Sequence, residues 1–360
     1  MPDTRPRIVF DSDGICNACH HAETKKSIDW DKRQSQFIEL VHQSGLNNTE
    51  YDCIVPWSGG KDSSTIAYRL KFEFGLNPLL VTFSPVMPNT IGETNRATLI
   101  DKGFDSLLIS PNGEISRHLA RRFFIERGDP KVHWHAGINA TPMQMAVKFG
   151  IPLIIYAEHG ESEYGGRLLS EKHSMIRDFT EVLEHQIGDQ PENWIDEKIK
   201  GHHLAPYLYP KDSEVGNMDI KVIYFGYFFR WSALNNWRFI KDKINFKTAE
   251  NGRTNGTFTN YDSLDDKIDN LYYYLQFIKF GFGRALRDAC RMIQNDQMNR
   301  SEALEVVRAY DAEFPSDFHE DHLEYLNITE SEFVETVDRH RDPEIWEQIG
   351  NRWQLRHLPE

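Results

Sequence analysis

Short apolar runs set between helical stretches constrain this chain more than any other feature. "CIVPW" (53–57) is followed by a helical pattern from about Asp62 to Phe74. Gly75 should end it, because glycine commonly closes helices. "PLLVTF" leads through a loop to a helix around Glu93 to Lys102, and "FDSLLIS" to a helix from about Glu114 to Glu126. "PMQMAVKFG" reads as a helix running into "IPLIIYAEHG", and a further apolar run, "IKVIYFGYFF", lies near residue 220. Apolar strands alternating with helices imply a doubly wound parallel α/β sheet, buried on both faces. Ligands of such sheets sit beyond the carboxyl ends of the strands. Residues just after "CIVPW", "LLVTF" and "LIIYA" should therefore share one crevice.

Before the first strand, a helical pattern from Asp31 carries Phe37, Leu40 and Val41, and before that lies "GICNACHH". From about Ser263 the chain turns to long helical patterns without a strand signal, and Thr329 and Glu332 form a Thr-x-x-Glu capping box. We divide the chain into a Cys-x-x-Cys segment (1–30), a sheet domain (31–250) and a helical C-terminal subdomain (251–360). A formal charge of −14 argues against a surface built for nucleic acid, which binds through lysine and arginine. No apolar run approaches the roughly 18 residues of a membrane-spanning helix, and no signal sequence opens the chain. Four cysteines do not make a disulfide framework, so a reduced, cytoplasmic setting is expected, with no membrane partner.

Ser58-Gly59-Gly60-Lys61-Asp62-Ser63-Ser64 follows the first strand. Two glycines let backbone N–H groups approach an anion, and the start of the next helix adds a positive partial charge. Lys61 supplies a mobile cation on an exposed loop, and Ser63 and Ser64 supply hydroxyls. The common phosphate-binding pattern needs a glycine five places before its Gly-Lys and a Ser or Thr after the lysine; Val55 and Asp62 stand there instead. Thr82, at the end of the second strand, joins the candidates for nucleotide binding.

These residues resemble the PP-loop of the ATP pyrophosphatase superfamily, which includes ATP-dependent amidotransferases, tRNA thiolases and argininosuccinate synthetase. That resemblance implies cleavage at the α-phosphate of ATP, giving AMP and pyrophosphate. Further segments resemble one family, the N-acetyl sugar amidotransferases of bacterial surface-polysaccharide and pseudaminic or legionaminic acid pathways. They are "MPDTRPRIVFDSDGICNAC", "IDWD", "GLNPLLVTF", "PLIIYAEHGESEYGG", "GTFTNYDSLDDKID" and "YYLQFIKFGFGRALRDA". The family resemblance implies an adenine-nucleotide α-hydrolase-like sheet and a UDP- or CMP-linked N-acetyl sugar as substrate. It also implies an acetamidino product for lipopolysaccharide O-antigen or nonulosonic acid. ATP and Mg²⁺ would be required, with ammonia from a separate glutaminase subunit and a channelling synthase-like subunit. Cys53 and Cys290 lie in apolar or helical contexts without a glycine elbow, and Pro2 follows Met1, so no glutaminase nucleophile is expected in this chain. The family pattern places an earlier Cys-x-x-Cys ahead of "MPDTRP"; of that zinc site only Cys16 and Cys19 are present, with His20 and His21 to complete it or no metal at all. A tRNA thiolase or lysidine-type ligase is the rival enzyme, disfavoured by the acidic charge, and a nucleotide-sensing subunit is the non-enzymatic rival.

Glu158 and Glu163 should rim the crevice and hold Mg²⁺ or orient ammonia; Glu161 between them is the weaker candidate, and an acidic solvated loop is the plain alternative. Asp265 and Asp266 suit a helix N-terminus. Lys267 and Arg284 are candidates for a substrate carboxylate or phosphate, and the glycines before Arg284 otherwise mark a tight helix contact. Arg117, Arg121 and Arg122 read as a solvated face, "YFGYFFRW" as core, and His133 and His135 as a strand or loop pair.

Overall fold

The computed structural model describes residues 1–43, 50–166, 170–177, 182–216 and 218–358. Its central sheet has β1 (Cys53–Pro56), β2 (Pro78–Phe83), β3 (Ser106–Ile109), β4 (Leu153–Tyr156) and β5 (Lys221–Tyr224), all parallel, in the order β3-β2-β1-β4-β5. Each strand falls inside an apolar run, as expected. Helices α1 (Asn17–Lys26) and α2 (Trp30–Gln43) precede the sheet, and α3 (Lys61–Phe72) follows β1. Then α4 (Thr90–Ile100) follows β2, α5 (Gly113–Arg127) and α6 (Val132–Phe149) link β3 to β4, and α7 (Gly160–Tyr164) follows β4. The strand order reverses between β1 and β4, which opens a crevice at their carboxyl ends.

Period-two alternation explains why these runs are apolar throughout. Cys53, Val55, Leu80 and Ile155 pack with Ile66 and Leu70 of α3, while Ile54, Leu79, Val81 and Ile154 pack with Ala146 of α6. Each fully buried aliphatic side chain contributes about 1.5–3 kcal/mol. Phe37 of α2 closes the first face, with ring centroids 5.2–5.6 Å from Phe74, Phe225, Phe228 and Phe229. The aromatic tract after β5 is thus mainly core.

His133 and His135 depart from expectation, because both lie inside α6, which begins well before Pro142. Small residues allow that longer helix. A Cβ at Gly137 would stand 2.3 Å from the Phe83 ring, so only glycine lets α6 lie against β2. Pro142 lacks an N–H, and the Tyr156 hydroxyl donates instead to the Ile138 carbonyl at 3.4 Å.

The C-terminal third is built on helices Ile268–Phe280, Arg284–Gln294, Arg300–Tyr310, His319–Leu326 and Glu330–Arg339. The capping box forms: Glu332 N–H donates to Thr329 Oγ1 at 3.3 Å and Thr329 N–H to Glu332 Oε2 at 2.7 Å. A hairpin of β6 (Trp346–Ile349) and β7 (Arg352–Leu355) was not expected. Its faces are mostly solvated, so it carries little apolar alternation; buried Trp346 pins it by donating from Nε1 to the Ile278 carbonyl at 2.7 Å. Arg121 and Arg122 pair with Glu332 and Glu126 on a partly exposed surface. No helix among the described residues is long and apolar enough to cross a membrane.

Candidate active site

The turn after β1 is shaped by its neighbours before any ligand is considered. Gly59 has φ +95°, and a Cβ there would meet Arg96 Cγ at 2.6 Å and the Gly92 carbonyl at 3.1 Å; both conditions require glycine. Trp57 is anchored twice, with Thr82 Oγ1 donating to its carbonyl and its own Nε1 donating to Ser64 Oγ at 2.9 Å. Ser64 and Thr82 are therefore buried supports of the loop rather than groups facing a ligand. Gly60 precedes the first residue of α3 without any side-chain cap, which leaves first-turn N–H groups for an anion. Ser63 Oγ lies 3.4 Å from the Gly60 carbonyl, and Ser58 faces Asp265, whose charged form it favours.

Lys61 is not a mobile cation on an open loop. It is 2% exposed and held between Asp62, at 2.7 Å, and Asp262. Asn236 Nδ2 steadies Asp62 at 2.9 Å, and Tyr261 lies under the ammonium at 5.3 Å. Burial disfavours charge on Lys61, yet Asp262 and Asp62 outweigh it and hold the ammonium above its ordinary pKa. Burial would likewise raise Asp262, but Lys61, Arg284 and Arg291 hold it well below the carboxylate range.

Glu158, at the end of β4, completes this cluster. The Tyr164 hydroxyl donates to its Oε1 at 2.9 Å and Arg291 Nη2 lies 4.0 Å away. Burial and then the Asp62 charge push its carboxyl up. Glu163 faces elsewhere: its carboxylate meets buried Lys25 of α1, with His21 Nε2 at 3.9 Å. The two glutamates do not converge on one ion. Lys267 pairs with Asp321 at 2.7 Å in the C-terminal helices rather than at the loop. Arg284 does reach the cluster, 1% exposed, and Gly283 before it approaches Asp311 so closely that a Cβ would stand 2.5 Å from the Asp311 carbonyl. The tight-contact reading of that glycine is correct, and it sets Arg284 at the head of its helix.

Asp262, Arg287, Arg291 and Tyr164 are site residues that sequence reasoning missed. Asp262 contacts Lys61 across 201 positions of chain, and no local pattern announces such a pair. The arginines do leave a signal, since Arg284, Arg287 and Arg291 recur at helical spacing.

Mg²⁺ fits this donor set. Among the described residues no group of three or more His, Cys, Asp or Glu side chains is arranged to hold a metal. Mg²⁺ ordinarily uses only one or two carboxylates together with substrate phosphates, and Asp62 and Asp262 beside Lys61, with Glu158 nearby, are the carboxylates that could serve. Zinc fares differently. Cys16 and Cys19 sulfurs are 3.6 Å apart, but His20 turns to Asp11 at 2.6 Å and His21 toward Glu163. A structural zinc takes four ligands, and the described residues supply two. The hydrogen bond between the thiols holds Cys16 down at about 5 and pushes Cys19 up.

Asp265 gives a pH test of this neighbourhood. Burial, then Asp269, raises its carboxyl to about 6. The neutral form is favoured in the fold, so the stability it contributes is present below its ordinary range and lost as pH rises through about 6. Wild-type protein is expected to lose on the order of 1–3 kcal/mol of stability between pH 4 and 7 through this group. Asp265→Asn should flatten that part of the profile in urea unfolding; an unchanged slope would contradict the assignment.

Residues 255–358, under a third of the chain, match the family model described as LPS biosynthesis protein WbpG-like, C-terminal domain. Among solved structures the chain is similar to NMN synthetase from Francisella tularensis, 16% identical, over 60% of this chain and 94% of that one, with a TM-score of 0.30. No curated protein matches. The matched region supplies Asp262, Arg284, Arg287 and Arg291.

Proposed function

We propose that this chain is an ATP-dependent amidotransferase acting on the N-acetyl group of a nucleotide-linked sugar in surface-polysaccharide synthesis. One observation carries the reading: a Gly-Gly-Lys turn at the sheet's switch point, opening an uncapped helix, with Lys61 and Glu158 in one buried cluster. The WbpG-like match supports the lipopolysaccharide context. An amide oxygen is a poor leaving group. Attack by that oxygen on the α-phosphorus of ATP expels pyrophosphate, and ammonia then adds at the activated carbon and expels AMP. Two protons are lost in all, and the product is the amidine.

The residues' share is positioning and charge. The α3 N-terminus and Lys61 suit the pyrophosphate, and Asp62, Asp262 and Glu158 suit a magnesium ion that would neutralise phosphate charge. Where Asp62 and Asp262 hold the ion, Glu158, with its raised carboxyl pKa, suits the alternative role of accepting a proton from incoming ammonia. A cavity of about 660 Å³ between α1, α2 and α7, lined by Trp30, Tyr227, Lys25 and Glu163, has the size of a small-molecule site and is our candidate for the sugar. A reaction that consumes ATP goes with a cytoplasmic setting.

Purified protein with ATP, Mg²⁺, ammonium and a panel of UDP- and CMP-linked N-acetyl sugars is expected to form AMP and pyrophosphate in equal amounts. Glutamine should replace ammonium only when a separate glutaminase and its channelling partner are added. Stoichiometric ADP, or glutamine use by this chain alone, would refute the reading.

A further inference from the structure

Arginines buried for structural reasons have their N–H groups satisfied. The helix Arg284–Gln294 departs from that rule on one face. Arg284, 1% exposed, has no hydrogen-bond partner at Nε, Nη1 or Nη2, and its nearest acid, Asp288, is 3.6 Å away. Nε of Arg287 and Nη2 of Arg291, the latter residue 7% exposed, also lack hydrogen-bond partners.

Two tyrosines interleave with the three guanidinium groups. Tyr273 lies 4.7 Å from Arg284 and 4.6 Å from Arg287, and Tyr164 lies 5.2 Å from Arg287 and 4.9 Å from Arg291. Arg287 Nη2 also donates to the Tyr273 hydroxyl at 2.9 Å, while the ring contacts leave the unpartnered N–H groups named above unspent. From Arg284 to Arg291 the row extends about 10 Å along the helix, longer than a single phosphate needs. Arg291 ends it beside Glu158, and Arg284 and Arg291 both act on Asp262, the partner of Lys61.

The charges have a further meaning. Lys61 and the three arginines face Asp62, Asp262, Asp288 and Glu158, so cations and carboxylates balance. A polyanion adds negative charge to that balance, which a divalent cation beside the carboxylates would offset. Forked N–H donors match the paired oxygens of phosphates.

We propose that the arginine row of this helix is a diphosphate-binding subsite adjoining the Gly-Gly-Lys turn, filled together with Mg²⁺. It rests on the reading above for which diphosphate arrives: the pyrophosphate of ATP or the diphosphate of the nucleotide-linked sugar.

Calorimetric titration of the full chain with inorganic pyrophosphate, and separately with uridine diphosphate N-acetylglucosamine, each with and without Mg²⁺, tests this without turnover. Wild-type protein is expected to bind at least one of them, more tightly with Mg²⁺. Arg284→Gln and Arg291→Gln should each weaken that binding about tenfold or more. The ligand that loses affinity identifies the source. If Arg284→Gln does not fold by circular dichroism, Arg284→Lys carries the test, since it keeps the charge without the fork and should still weaken binding. Unchanged affinity for both ligands in folded variants, or no binding to wild type, would overturn the proposal. Lys61→Ala separates it from the function: with pyrophosphate as ligand, loss in the arginine variants but not in Lys61→Ala supports the row and refutes the loop. The opposite pattern refutes the row alone.

Discussion

Lys61→Ala is expected to lower kcat by a factor on the order of 10²–10³, the usual cost of removing one stabilising group from a developing anion. It should also destabilise the protein by about 3–5 kcal/mol, because a buried ion pair loses one partner and leaves uncompensated carboxylates. Both effects follow from the 2% exposure of Lys61 and its two acidic neighbours. They can be separated. Adding Asp262→Asn removes one of the stranded charges and should recover part of the stability in urea unfolding, while turnover stays lost. A folded Lys61→Ala protein with near-normal AMP formation would remove the loop from the mechanism. A wild-type melting curve for the single variant would show that the ion pair is not formed in solution.

Phe37→Ala is expected to cost about 3–5 kcal/mol, the range for emptying a buried aromatic site. Phe37 is fully buried and touches four other rings, three of them in the segment after β5. The variant should loosen α2 from the sheet and with it Trp30 and Arg33, which line the candidate sugar cavity. Phe37→Leu should cost far less. Unfolding free energies within about 1 kcal/mol of wild type for Phe37→Ala would mean that α2 is not packed as described.

Those two residues mark the limits of what the sequence makes legible. The strands could be read because burial on both faces leaves "CIVP" without a polar residue and "LLVTF" with Thr82 alone, whose hydroxyl is spent on the Trp57 carbonyl. The position of Lys61 at the start of a helix followed from the glycines before it. Its burial did not, since the residues that cover it, Asp262 and Tyr261, come from a distant part of the chain. Local alternation sets His133 and His135 on a strand or loop, because it carries no trace of the packing of Gly137 on Phe83 that makes both part of α6. Glu158 and Glu163 are five positions apart on a turn and a short helix, and no periodicity says which partner each will meet.

Asp262 has one more consequence, for anyone who would recombine this protein. The loop lysine and its principal counter-charge are encoded far apart, and Asp266 is tied back by the backbone N–H groups of Val86 and Met87. A chimera that joins the sheet portion of one homologue to the C-terminal third of another would inherit half of an electrostatic couple. Such exchanges should succeed only when donor and recipient both carry an acid at the position of Asp262, which makes that single residue the compatibility test for grafting.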